Sequence, residues 1–178
     1  MNRRLAITGL FIAAASTVAT LVYHQYSQQQ YLQSTVKVGH LEQLPNFQMR
    51  DLDGRQRFGS EWAGKVLVLN FWATWCPPCR REIPGFIELQ RTLGAERVQF
   101  VGIAIDEPQK VREYVESNGI NYPVLLGGTD AIELARNLGN RFDGLPFSVI
   151  FDRGGKVAHI KNGEMQKKSL EARILPLL

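Results

Sequence analysis

Cysteine is scarce in this 178-residue chain: there are two, both in one short window, and histidine occurs only three times. Two cysteines cannot build a disulfide framework. A zinc site wants four ligands, and His24, His40 and His159 stand at no ligand spacing to the cysteine pair or to each other, so no metal site is expected. Long runs of one charge are absent too, the longest after Arg3-Arg4 being the pairs Arg80-Arg81 and Lys167-Lys168. The net charge is +4, but taking Arg3 and Arg4 from the 21 basic residues leaves 19 against 17 acidic ones. Those charges alternate in sign, which makes a solvated surface and no phosphate track, so nucleic acid is excluded as a partner. With 16 Gly, 8 Pro and 44% hydrophobic residues the composition is that of an ordinary globular protein, neither disordered nor collagenous. The length suits one domain.

What is present begins with an apolar stretch. Arg3-Arg4 is followed by 19 uncharged residues, Leu5 to Tyr23, long enough to span a bilayer. A secretory signal would share the basic start and end at a small-x-small site, for which Ala13-x-Ala15 and Thr17-x-Ala19 both qualify. The full length of the stretch, with Tyr23 and Tyr26 at the interface, favours an uncleaved anchor over a cleaved signal. A polar tether with Gln28, Gln29, Gln30 and Gln33 follows. Residues 1–36 are thus expected to be a membrane anchor or signal segment with its tether, and 37–178 a folded domain. The positive-inside rule puts Arg3 and Arg4 in the cytoplasm and the domain outside it. No Cys stands near residue 20, which excludes lipid anchoring.

The domain alternates short apolar runs with amphipathic stretches. Phe47 to Leu52 and Gln56 to Phe58 flank Asp53-Gly54, a hairpin signal. Val66 to Phe71 and Val98 to Ile105 are near-continuous apolar runs, as central strands covered on both faces would be. Between them Ile83, Phe86, Ile87 and Leu93 share one helical face, giving a βαβ unit. A second helix is expected from Pro108 to Gly119, a strand at Tyr122 to Leu126, and a third helix opened by an Asp130/Glu133 capping box and stopped by Gly139. Phe147 to Phe151 and Val157 to Ile160 form a second hairpin, and Leu170, Ile174 and Leu177 a closing helix. The order implies an α/β fold of three layers, a central mixed sheet between helices with an N-terminal β-hairpin and an αβ insert.

Both cysteines lie in Trp75-Cys76-Pro77-Pro78-Cys79, where the strand ending at Phe71 hands over to a helix. A C-x-x-C at such a junction is a redox motif. Thiol exchange needs one accessible thiolate and a second thiol one turn away to expel the partner from the mixed disulfide. With Cys76 at the N-cap, the helix dipole favours its thiolate, so Cys76 attacks and Cys79 resolves. As a structural staple, a Cys76–Cys79 bridge would close too small a loop to remove much chain entropy. Pro77 and Pro78 have no N–H, so the first turn lacks two donors for that thiolate. A less stabilised reduced form means a lower reduction potential, hence a reductant more than an oxidant.

The run from Asn70 to Glu82, with Gly144-Leu145-Pro146 and Phe147 to Asp152, resembles the thioredoxin superfamily. More narrowly it is similar to the membrane-anchored TlpA/ResA-type thiol-disulfide oxidoreductases of the bacterial envelope, over roughly Val38 to Leu178, with Pro108 to Leu126 as that branch's insert. The resemblance implies a cis proline at Pro146 facing the cysteines, a Leu145 backbone that offers strand-like hydrogen bonds to an extended substrate, and Trp75 as an apolar platform beside the dithiol. The aspartate that thioredoxins bury in the strand before the motif is here Asn70, which cannot relay a proton. The matching glutamate of ResA-like members falls on Glu82, three residues after Cys79, and is the candidate acid/base; the alternative is an exposed helical glutamate paired with Arg80 or Arg81.

The resemblance further implies a disulfide reductase of exported proteins, with the redox-active Cys76–Cys79 disulfide in place of any added cofactor. Its substrates would be the haem-attachment cysteines of apocytochrome c or the thiols of copper-site assembly proteins, and a membrane electron donor of the DsbD or CcdA type would recharge it. Two other functions share these features. A Cu(I) chaperone would use Cys76 and Cys79 with His159 or Met165 as third ligand. A thiol peroxidase would share the fold, but uses an isolated cysteine in a Pro/Thr-lined pocket, which Cys79 and Trp75 do not resemble.

Overall fold

The computed structural model describes residue 22 and residues 42–178. The anchor-or-signal reading of residues 1–36 and the boundary drawn at residue 37 lie outside the described residues. Among the described residues no helix is long and apolar enough to cross a membrane.

Strands β1 (Gln48–Asp51) and β2 (Gln56–Phe58) pair antiparallel across Asp53-Gly54, as the turn signal predicts. The Asp51 carboxylate accepts the backbone N–H groups of Asp53 and Arg55 at 3.0 and 2.9 Å, and Gly54 takes φ +80°. The late hairpin, β6 (Phe147–Phe151) and β7 (Val157–Asn162), repeats the device. There Asp152 accepts from Gly154 and Lys156 at 2.9 and 2.8 Å, and Gly155 takes φ +78°. In both, an acceptor side chain closes the turn and a glycine three residues on supplies the left-handed conformation.

Between the hairpins come β3 (Val66–Trp72), α1 (Pro77–Leu93), β4 (Val98–Ala104), α2 (Pro108–Asn118), β5 (Val124–Leu126) and α3 (Thr129–Asn137). Helix α4 (Lys167–Ile174) follows β7. The seven strands form one mixed sheet in the order β2-β1-β5-β4-β3-β6-β7, with β3, β4 and β5 parallel and the hairpins antiparallel at its two ends. Alternate residues of β3 face opposite layers. Val66, Val68 and Trp72 pack with Ile83, Phe86 and Leu89 of α1, Val111 of α2, and Leu170 and Ile174 of α4. Leu67, Leu69 and Phe71 pack with Phe47, Trp62, and Ala131, Leu134 and Ala135 of α3. The three-layer α/β expectation therefore holds.

Of the boundaries that differ from the sequence reading, two have a local cause. The strand expected from Tyr122 begins at Val124, because Pro123 has no N–H for the ladder; its carbonyl still accepts from Gly102 at 3.0 Å. Helix α3 starts at Thr129 with Gly128 as its cap, and the Asp130 carboxylate accepts from Gly128 N and Ala131 N instead of forming a box with Glu133. Gly102 in β4 has a steric reason, since a Cβ there would lie 2.9 Å from the Trp72 indole nitrogen.

Phe86 is fully buried and packs tilted against Phe100 of β4, ring centroids 5.4 Å apart, which fastens α1 to the sheet. Phe86→Ala is expected to lower the unfolding free energy by about 3–5 kcal/mol, measured by urea denaturation. A loss under ~1 kcal/mol would mean that α1 is held mainly by other contacts.

Candidate active site

The chain leaves β3 at Trp72 and is tied down at once. Ile105 N–H donates to the Trp72 carbonyl at 2.8 Å, and the Thr74 N–H and hydroxyl donate to Asp106 Oδ2 at 2.9 and 2.5 Å. The loop so fixed ends in Cys76, the extended N-cap of α1, with Pro77 and Pro78 in the first turn. Cys76 and Cys79 form a disulfide, Cα to Cα 5.3 Å. The first amide the helix offers to Cys76 Sγ is that of Cys79, at 3.3 Å. Cys76 is 3% exposed and Cys79 not at all, whereas Trp75 before them is 66% exposed.

Strand β6 brings the second part. Its register sets Phe147 opposite Phe71, so the residues before Phe147 meet the loop after Trp72. The Leu145–Pro146 peptide is cis, as the resemblance implies. Leu145 and Trp75 line a small cleft with Ile105, Ile132 and Ala135.

Glu82 lies inside α1 at 3% exposure, which removes the alternative of an exposed residue paired with an arginine; Arg81 pairs instead with Glu164 at 2.7 Å. Glu82 Oε1 accepts from Asn70 Nδ2 at 2.7 Å and Oε2 accepts from the Met165 backbone N–H at 2.8 Å. Burial pushes its carboxyl up to about 7; the Met165 and Asn70 donors oppose this, Glu164 adds to it and Lys161 opposes it. An acid with that affinity can take or give a proton at neutral pH. Among the described residues no three His, Cys, Asp or Glu side chains cluster where they could hold a metal. Met165, proposed above as a Cu(I) ligand, is buried in the α1/α4 layer, and His159 is on β7.

Sequence reasoning missed the loop before Leu145. Arg136 donates twice to the Asp143 carboxylate, at 2.7 and 2.6 Å, and Asn140 brackets Gly144 by accepting from its N–H and donating to its carbonyl. The loop is held with Asp143 at φ +50° and presents Phe142 at 89% exposure. An Arg and an Asp seven residues apart around a glycine-flanked aromatic was the only signal, and it is a weak one.

Between pH about 4.5 and about 7 the native chain holds a proton on Glu82 that the unfolded chain gives up. Stability is therefore full below the lower value and falls as pH rises to the upper, by on the order of 3 kcal/mol. Urea unfolding of the oxidised protein across that window should show the fall, and Glu82→Gln should flatten it. Wild-type stability that is level through the window would refute the assignment.

A protein-family model described as Redoxin matches residues 40–174. The thiol-disulfide oxidoreductase ResA of Geobacillus thermodenitrificans is 31% identical over 158 residues, 88% of this chain and 87% of that one. A crystal structure of a thioredoxin-family thiol:disulfide interchange protein from Chlorobium tepidum superposes with TM-score 0.67 at 32% identity, covering 76% of this chain and 94% of the other. A secreted thiol-disulfide isomerase from Corynebacterium glutamicum superposes with TM-score 0.69 at 26% identity, over 75% and 84%. With the cysteine pair at the end of β3 and the cis proline beside it, these likenesses settle the matter: the chain belongs to the Redoxin family and is a TlpA/ResA-like thiol-disulfide oxidoreductase of the thioredoxin superfamily.

Proposed function

We propose that the chain works in the reducing direction, on disulfides of exported proteins, outside the cytoplasm. The observation that carries the direction is the first turn of α1: prolines fill its first two positions, so the nearest amide to the Cys76 sulfur is that of Cys79 at 3.3 Å. A thiolate with so few donors is a modest leaving group, which keeps the dithiol a good electron source.

In the reduced protein the Cys76 thiolate attacks one sulfur of the substrate disulfide, and the other substrate sulfur leaves as a thiolate that takes a proton from water. Cys79 then loses its proton to the Glu82 carboxylate and attacks Cys76 Sγ, which releases the second substrate thiolate. Two electrons have moved to the substrate and the Cys76–Cys79 disulfide has formed, with no added cofactor. Trp75 and Leu145 flank the sulfur under attack, and Leu145 offers backbone hydrogen bonds to the extended substrate before the cis Pro146.

The compartment follows from Arg3 and Arg4 ahead of the apolar stretch, and one structural relative is described as secreted. There the substrates are apocytochrome c cysteines or copper-site assembly thiols. A membrane donor of the DsbD or CcdA type returns the electrons, the N-terminal segment holds the protein at the membrane, and nucleic acid is no partner.

The reduction potential tests the direction. Equilibration with glutathione or dithiothreitol, with trapping of free thiols, is expected to give a value near or below about −270 mV, and a value near about −120 mV would make the protein an oxidant. Cys79→Ser should accumulate the mixed disulfide on Cys76, and Cys76→Ser should form none.

A further inference from the structure

Asn70 occupies the centre of β3 at 1% exposure, and its amide nitrogen is fully used: one N–H goes to Glu82 Oε1 at 2.7 Å, the other to Ser148 Oγ of β6 at 2.9 Å. Its carbonyl oxygen, equally buried, has no partner. That orientation suits an ionised Glu82, which only accepts. It does not suit a protonated one. Each carboxyl oxygen receives one N–H donor, and a proton placed on the side of Oε1 that faces Asn70 would point at another hydrogen. The Met165 N–H belongs to the backbone and cannot reverse. Only Asn70 can turn.

We propose that Asn70 is the positioning residue for the Glu82 proton, its side-chain amide turning over with the charge of that carboxyl. With Glu82 ionised, Nδ2 donates to Oε1 and to Ser148. With Glu82 protonated on Oε1, the amide is turned by half a revolution, and Oδ1 accepts from the Glu82 O–H and from the Ser148 hydroxyl, which rotates from acceptor to donor. One amide atom stays without a partner in either orientation, so the unfilled place does not decide between them; the charge on Glu82 does. With the Cys76–Cys79 disulfide formed, so that Cys79 does not titrate, the other charged and titratable groups that face Glu82 are Tyr122, Lys161 and Glu164. None of them is hydrogen-bonded to the carboxyl, so none can follow its proton atom for atom.

The consequence is that Glu82 keeps a matched partner in both states and exchanges its proton without leaving its site. This rests on Glu82 as proton carrier, and the test separates the two claims. In the isotope-labelled full chain, NMR follows the Glu82 carboxyl carbon and the Asn70 side-chain NH₂ pair against pH. Both should move with one midpoint, and the Asn70 signals should stand still in Glu82→Gln. A titrating Glu82 beside an unmoved amide sinks the turning amide alone. A Glu82 that does not titrate in the neutral range sinks the proton carrier and the amide with it. In the nearly isosteric Asn70→Asp, a second carboxyl replaces the donor, and the proton affinity of Glu82 should rise about tenfold or more; an unchanged midpoint there would also overturn the proposal.

Discussion

Strand β3 has no exposed residue along its seven positions. Such a strand must be hydrogen-bonded on both edges and covered on both faces, and most of the molecule follows from meeting those demands. β4 runs parallel on one edge and β6 antiparallel on the other, which brings the early βαβ unit and the late hairpin to the same strand. Because β4 is parallel, the chain has to return across a face of the sheet, and α1 is that return. The helix must begin where the strand ends, so its N-cap stands at the carboxyl edge of the sheet centre. Cys76 is that cap. The same register delivers the residues before Phe147 to the same edge, so the disulfide and Pro146 share that edge although they are far apart in the chain.

Within this apolar arrangement Glu82 makes one buried polar cluster, as Gln90 of α1 makes another against β4. The contacts of Glu82 tie α1 to β3 through Asn70, to β6 through Ser148, and to the segment before α4 through the Met165 N–H. Apolar residues in those places would hold the layers together at no cost in desolvation. The carboxyl is one helical turn beyond Cys79, where the proposed mechanism gives a buried acid a chemical use.

The parts of the fold that were legible in the sequence are those decided locally. The apolar runs of β3 and β4, the Pro108 start and Gly119 stop of α2, and both aspartate-glycine turns announce themselves within a few residues. The start of α3 was misplaced because Asp130 can accept from Gly128 as readily as from the turn ahead of it, and only the packed structure decides which. The C-x-x-C was legible as a redox pair from its place at a strand-to-helix junction. The cis peptide before Pro146 was not: it came from the family resemblance, since no residue near it specifies the isomer. The i, i+3 spacing set Glu82 on the side of Cys79 but could not say that it was buried, because the groups that bury it, Asn70 and Met165, are supplied by β3 and by a segment 83 residues later. Phe142 stayed hidden for a similar reason. A lone exposed aromatic in a polar loop carries no pattern until the Arg136–Asp143 pair is seen to hold the loop beside Leu145.

In the proposed mechanism the burial of Cys79 accounts for a base at Glu82. Cys79 has no exposure, so a thiolate formed there in the reduced protein would lie in an apolar layer. Water cannot remove the thiol proton directly, and the helix dipole that favours the Cys76 thiolate at the cap is weaker a turn further in. A base inside the same layer answers this, provided its own affinity lies near neutrality: an acid of ordinary strength would be too weak a base to take the proton, and one much weaker would be protonated already. Glu82, raised to about 7 by burial and restrained by two N–H donors, meets that condition. An aspartate at the Asn70 position would set a second carboxyl against the first, and like charges so close cannot both ionise. An asparagine in β3 and a carboxyl on α1 therefore make one arrangement, in which the strand supplies the hydrogen bond and the helix, in the proposed mechanism, supplies the base.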